Sequence, residues 1–394
     1  MPTHSAKVSG DRAAAVIAIG DPMDEAFHKR KLAGLRRLLD RRAADTLWVV
    51  RPENRRYLSG FQAEDAGLDE TAGYLLVTRD RALLVTDSRY TTEAENQVVD
   101  FEVVTVRKEF VETLPGLLER LGTRTLGFDP DYLIWGLHRR VSRVLKNMNP
   151  SVRLQPVKGL VEGMREIKAP EEIRAMERAS DIMGAVLDEV IPRMQPGRTE
   201  KEIAWRIVGL AREAGAEGMA FEPIVGAGPN GALPHAVPSD RKLRPGEPVV
   251  VDVGVRVDGY CCDMTRTVFP GDSDPEEPFR TVYRTVRKAQ LDALEAVRPG
   301  VETTTPDGVA REVIREAGYG DYFGHSLGHG VGLAPHENPR LAPRKPVKLR
   351  RGHVVTVEPG IYLPGKGGVR LEQMVLVEKN GPRILTRADH FLDL

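Results

Sequence analysis

Asp252 and Asp263 lie in two β-patterned runs, Val249 to Val257 and Tyr260 to Phe269, that meet at Asp258-Gly259. That dipeptide between alternating apolar residues is the strongest short-range hairpin signal. With these two residues as the loop, Val257 faces Tyr260, and counting outward Gly254 faces Asp263. Period-two alternation then sets Asp252 and Asp263 on one face as a diagonal pair, roughly 7 to 8 Å apart at the backbone. A slip of one residue would separate them. The other parity, Val249, Val251, Val253, Val255 and Val257, forms the apolar face. Taken alone, the acid-bearing face is most simply a solvated one.

Two further carboxylates stand in strand-like settings: Glu358 closes the run from Val354, and Glu372 lies in Val369 to Val377. Between the hairpin and these runs, three of the nine histidines, His325, His329 and His336, fall within twelve residues. His325 and His329 are spaced as a helical zinc pair, but Gly324, Gly328, Gly330 and Gly332 make a helix there improbable. Glycine at that density suggests backbone passing close to a site, with the imidazoles held by turns. Four carboxylates and one imidazole form an oxygen-dominated donor set that suits Mn, Co or Zn in a paired site. Two such ions, roughly 3.5 to 4 Å apart, would share bridging carboxylates and hold a hydroxide between them.

The elements that must position these groups follow from periodicity. Phe27, Leu32, Leu35, Leu38 and Leu39 mark an amphipathic helix. Short apolar runs at 46–50, 74–77, 82–85, 101–106 and 125–128 alternate with helix-like stretches at 110–121 and 133–145, indicating an α/β domain that ends near residue 160. Ala169-Pro170-Glu171-Glu172 opens a long helix to about Val190. Thr199 and Glu202 form a capping box for another, with Ile203, Ile207 and Leu210 as its buried stripe. From Phe221 onward the chain reads as strand-rich. The division is therefore a loose tail over 1–23, a first domain over 24–160 and a second over 161–394.

Composition narrows the class. With 41% hydrophobic and 29% charged residues over 394 positions, the chain reads as globular. Its 57 basic residues balance its 57 acidic ones, so no field collects phosphates and nucleic acid is not expected as a partner. No apolar run reaches the roughly 18 to 20 residues of a membrane span, and Ala13 to Gly20 makes a poor signal peptide. The only cysteines, Cys261 and Cys262, are adjacent, which excludes a disulfide framework and fits a reducing, cytoplasmic setting. At least one of them must point to the apolar face of the hairpin, and buried packing suits both better than metal binding.

Asp252, Asp263, His329, Glu358 and Glu372, in that order and at these spacings, resemble the five metal ligands of the pita-bread metallopeptidases. Pro234-His235-Ala236, the set His325, His329 and His336, and Arg370 two residues before Glu372 resemble the proline-specific branch, the Xaa-Pro aminopeptidases and prolidases. Arg56 to Phe61 and Arg165 to Lys168 are similar to that branch in its creatinase-type N-terminal domain and at the domain junction. The resemblance implies an α/β N-terminal domain followed by an α+β pita-bread catalytic domain with a curved, mostly antiparallel sheet. It implies two divalent ions, Mn first with Co or Zn as alternatives, and cleavage between an N-terminal residue and proline. Glu358 would also handle the proton of the attacking water, His235 and His336 would hold the peptide carbonyl and its tetrahedral intermediate, and His325 and Arg370 would line the site or support ligands. A homodimer whose first domain walls the site is implied as well.

The aminopeptidase is preferred to the dipeptidase because no dedicated clamp for a free carboxylate is legible, Arg370 being the one candidate. Two rivals remain, a metal-free creatinase-like hydrolase and a non-catalytic binding relative; the full set of ligand types argues against both. Gly226-Ala227-Gly228-Pro229-Asn230-Gly231 mimics a dinucleotide fingerprint, but Pro229, Pro234 and Pro238 preclude the helix that it requires.

Overall fold

A computed structural model describes residues 23–41, 44–67, 70–271, 275 and 277–393. The expected tail lies outside these residues except for Met23. The first domain is built on a six-stranded mixed sheet in the order Glu102–Val106, Ala82–Asp87, Tyr74–Thr78, Thr46–Val49, Thr125–Phe128 and Arg153–Pro156. Alternate side chains of its central strands enter different cores. Leu47, Val49, Leu75 and Val77 pack with the helix Glu25–Leu39, while Trp48, Leu76, Leu83 and Val85 pack with the helices Phe110–Leu121 and Trp135–Lys146. Both faces are covered, which is why these strands read as unbroken apolar runs. The edge strand Arg153–Pro156 carries no such run and escapes the sequence pattern.

The second domain opens with the helix Pro170–Val190, whose Glu172 side chain accepts a bond from the Ala169 amide at 2.9 Å. The helix Glu200–Glu213 is held by the expected capping box: the Glu202 amide donates to Thr199 Oγ1 at 3.1 Å and the Thr199 amide to Glu202 Oε2 at 2.8 Å. Every strand pairing described in this domain is antiparallel. One sheet has Met264–Val268, Val249–Val253 and Ile224–Ala227; another has Glu337–Leu341, Gly328–Gly330, Val354–Val357, Gln373–Glu378 and Gly381–Ile384.

Two long helices, Phe279–Ala296 and Thr304–Glu316, correct the strand-rich reading of the segment beyond Phe221. Their buried residues, among them Val282, Val286, Ala289, Ala293, Ala310 and Ile314, recur at helical spacing and back the larger sheet through Val355, Val357 and Val375. The other core does not stop at the domain boundary. It runs from Phe27 and Tyr57 through Leu160 and Met176 to Val251 and Met374. Glu172 spans the same boundary, meeting Lys31 Nζ at 2.6 Å and accepting from the Tyr260 hydroxyl at 2.9 Å.

Candidate metal centre

The hairpin register is the one counted from its turn: Val257 faces Tyr260, Arg256 faces Cys261, and Asp252 faces Thr265. The ladder breaks between Val253 and Val255, where a Cβ on Gly254 would lie 2.2 Å from the Cys262 carbonyl oxygen. Both cysteines are buried and free. The remaining site residues arrive at the ends of neighbouring strands. Glu358 follows Val354–Val357, its amide donating to the Leu327 carbonyl at 2.8 Å, and Gly330 of the His329 strand faces Val355. The Glu372 amide donates to the Thr265 carbonyl at 3.1 Å, while Thr265 Oγ1 donates to Glu372 Oε2 at 2.8 Å. The glycines around His329 allow close backbone packing, since a Cβ on Gly328 would lie 2.0 Å from the Thr356 carbonyl oxygen.

His329 Nε2 is 3.2 Å from Glu358 Oε1 and 3.7 Å from Asp263 Oδ2. Asp263, His329 and Glu372 each offer one ligand atom, all within 4.8 Å of one another. Asp252 stands beside them, one oxygen 2.5 Å from Arg370 NH2 and the other, Oδ1, buried without a hydrogen-bond partner. His329 Nδ1 lies 3.0 Å from the Gly330 carbonyl. A carbonyl only accepts, so Nδ1 carries a proton; burial would lower the pKa of the ring, but Glu358, facing Nε2, outweighs it and raises it, and it is the Nε2 proton that a metal ion would displace.

The electrostatics of the cluster favour a cation. Burial, then the charges of Glu372 and Asp252, push Asp263 well above the usual carboxylate range. Burial, then Glu358 and Asp252, do the same to Glu372. Asp252 is raised by burial in spite of Arg370. Only Glu358 is lowered: burial opposes this, but the bond to His329 and the charges of His329 and Arg370 outweigh it. An orphaned carboxylate oxygen among hard oxygen donors, with one imidazole nitrogen aimed at them, fits divalent cations.

Arg370 lines the cleft with its donors largely engaged. It is 3% exposed, and it donates from Nε to Thr265 Oγ1 (3.2 Å), from NH1 to the Pro234 carbonyl (3.1 Å) and Tyr362 hydroxyl (2.9 Å), and from NH2 to Asp252. Four of its five N–H donors are thus taken, one of them by Asp252. His325 donates from Nδ1 to the Ser326 carbonyl at 2.9 Å, so its Nε2 accepts from the Tyr362 hydroxyl at 2.9 Å. Burial lowers its pKa, keeping it neutral in that relay.

His235 and His336 are exposed to a cleft of about 1610 Å³ that also opens onto Asp252, Asp263, Glu358 and Glu372. The His336 ring lies 4.2 Å from that of His329 at 72°. Burial and the His329 charge hold His336 down to about 4, so it is neutral at pH 7 and can donate an N–H. Sequence reasoning missed Tyr362, which lies in the strand Gly360–Leu363 beside Gly367–Arg370, and Arg340, which lines the cleft four residues after His336. No local pattern marks either one. The alternation along Glu337–Leu341 is the one hint that Arg340 faces outward.

An α/β domain leading into an antiparallel domain with acids gathered at strand ends is the architecture of the pita-bread enzymes. Residues 174–379 match the model of metallopeptidase family M24, and residues 31–167 match the creatinase/prolidase N-terminal domain. The Xaa-Pro dipeptidase of Pyrococcus furiosus is 35% identical over 370 residues, covering 92% of this chain and 99% of that protein. The solved Xaa-Pro dipeptidase from Bacillus anthracis superposes with a TM-score of 0.84 at 34% identity, covering 91% of this chain and 98% of that one. An X-Pro aminopeptidase from Thermotoga maritima gives 0.78 at 36% identity, with 89% and 97% covered. The chain belongs to metallopeptidase family M24, and it is an enzyme.

Proposed function

We propose that this enzyme hydrolyses the bond between an N-terminal residue and proline, using two divalent ions held by Asp252, Asp263, His329, Glu358 and Glu372. The observation that carries this reading is the convergence of those five side chains, one with an orphaned oxygen, on a cleft faced by two further imidazoles. Manganese is the ion of choice, with cobalt or zinc also suited to the donor set. Bound there, the metals would bring water toward ionisation at neutral pH and polarise the peptide carbonyl. Glu358 receives the proton of the attacking water. His235 and His336 donate to the carbonyl oxygen as charge develops on it. Proline's nitrogen carries no hydrogen and its ring fixes φ, so grip on the flanking carbonyls replaces the donor that ordinary peptides offer.

Arg340 favours the dipeptidase over the aminopeptidase preferred from sequence. It is exposed on the cleft wall, and among the described residues no carboxylate lies within ion-pair distance of it. A free C-terminal carboxylate is its natural partner. Protein reconstituted with Mn, Co or Zn should carry two ions by elemental analysis and cleave Ala-Pro faster than Ala-Pro-Ala or Ala-Ala-Ala. Arg340→Ala should raise KM for Ala-Pro by about 10- to 100-fold, the value of a charged hydrogen bond. Fastest turnover of Ala-Ala-Ala would refute proline specificity, and an unchanged KM would remove Arg340.

We further place the chemistry in residues 161–394 and propose a homodimer in which residues 24–160 help to wall the cleft. Light scattering at micromolar concentration should give twice the 43.6 kDa of one chain, and the single-chain mass would contradict the dimer. The two buried free thiols support a reducing, cytoplasmic setting.

A further inference from the structure

The loop that carries His235 is fastened by a carboxylate that the proposed chemistry does not use. Glu200 is the first residue of the helix Glu200–Glu213 and is fully buried. Among the described residues no Lys or Arg nitrogen lies within ion-pair distance of it. Its charge is met by hydrogen bonds instead. Oε1 accepts from the Ala227 amide at 2.8 Å and from Asn230 Nδ2 at 3.0 Å; Oε2 accepts from Asn230 Nδ2 at 3.0 Å, the Ser239 amide at 2.9 Å and Ser239 Oγ at 2.6 Å. Charge-assisted bonds of this kind are roughly twice as strong as neutral ones.

These partners bracket His235. Ala227 and Asn230 precede it, Ser239 follows it, and all three return to one side chain. Between them Arg370 NH1 donates to the Pro234 carbonyl at 3.1 Å, which draws the loop to the metal side. The glycines of Gly226 to Gly231, which mimic a nucleotide fingerprint, serve this folding. A Cβ on Gly226 would lie 3.1 Å from the Asn230 carbonyl oxygen, and one on Gly231 would lie 2.9 Å from that of Gly226. The motif closes a tight loop and leaves His235 exposed at its far side, facing the cleft.

We propose that Glu200 is a positioning residue that sets the place of the His235 ring relative to the metal ligands. This rests on the reading of His235 as a group that grips substrate. A carboxylate in this position can only accept, and every group aimed at it is a donor. Glu200→Gln places an NH₂ against those donors and so loosens the loop without changing side-chain volume.

The test is a double-mutant cycle on metal-loaded protein with Ala-Pro: wild type, Glu200→Gln, His235→Ala and the double variant. Glu200→Gln should lower kcat/KM by about 10- to 100-fold, the order expected for a misplacement near 1 Å. It should leave metal content unchanged and add little in the His235→Ala background, because both changes disable one device. Full additivity, or a wild-type rate for Glu200→Gln, would overturn the positioning role while leaving the reading of His235 intact. A wild-type rate for His235→Ala would overturn both. If Glu200→Gln fails to fold, the same cycle run with Ser239→Ala, which removes the hydroxyl that donates to Glu200 and accepts from the Arg241 amide and Asn230 Nδ2, decides the matter by the same criteria.

Discussion

Replacing Glu358 with Gln should lower kcat by about 10² to 10⁴-fold, the range supplied by a well-placed proton acceptor, while the fold survives. The side chain ends the strand Val354–Val357 and points at the cleft, 3.2 Å from His329 Nε2 and 3.2 Å from Thr356 Oγ1. Gln keeps its volume and still accepts from Thr356, and the backbone anchor to Leu327 is untouched. Stability should therefore change little, and removing one charge from four clustered carboxylates relieves repulsion in the metal-free protein. Steady-state kinetics on metal-loaded variant with a matched melting curve checks both halves. Near-normal kcat in a folded, loaded variant would take Glu358 out of the mechanism and leave it a strand-end carboxylate.

The second large effect concerns stability. Glu337, next to His336, is buried between Arg165 and Lys168; it accepts from Arg165 NH2, from Lys168 Nζ at 3.1 Å and from the Ala334 amide at 3.0 Å. Arg165 also donates to Asn54 Oδ1 at 2.7 Å, so the cluster ties the first domain to the segment holding His336. Burial would raise the Glu337 carboxyl, but Lys168 and Arg165 outweigh it and bring it from 4.5 to about 2. A folded-state pKa below the unfolded one stabilises the fold above pH 4.5, and that contribution is lost as pH falls toward 2; it is worth roughly 3 kcal/mol at pH 7.

Glu337→Gln strands two buried cations and should cost about 3 to 5 kcal/mol at pH 7. The gap to wild type should narrow as the medium is taken from pH 4.5 toward 2. Urea midpoints measured for both proteins across that range test this, and equal midpoints at pH 7 would show that the cations find other partners.

Much of the site is legible because its geometry is local. The parity that joins Asp252 to Asp263 follows from one turn dipeptide, and the observed ladder keeps the register from Val257 and Tyr260 out to Val249 and Val268. The helices Phe110–Leu121 and Pro170–Val190 likewise announce themselves through period, a helix-starting proline and acids in the first turn. What stays hidden depends on contacts far apart in sequence. Nothing in the sequence marks Glu200 until Ser239 folds onto it, and of the parts open to Arg370, lining the site, supporting a ligand or clamping a carboxylate, only the contacts with Asp252, Thr265 and Tyr362 single out the support of a ligand. The helices Phe279–Ala296 and Thr304–Glu316 are a different case, since their apolar spacing was present and was masked by the strands on either side.

The hairpin also dictates which kinds of genetic change the centre can absorb. Apart from the two acids, Gly254 and the turn pair Asp258-Gly259, a side-chain exchange along it leaves the parity untouched, because parity is indifferent to the identity of the intervening residues. Inserting or deleting one codon in either arm between Asp252 and the turn, or between the turn and Asp263, is another matter. It rotates one acid to the opposite face while leaving the other in place. For this stretch chain length is the inherited quantity, and a length change is repaired only by a compensating one in the same arm.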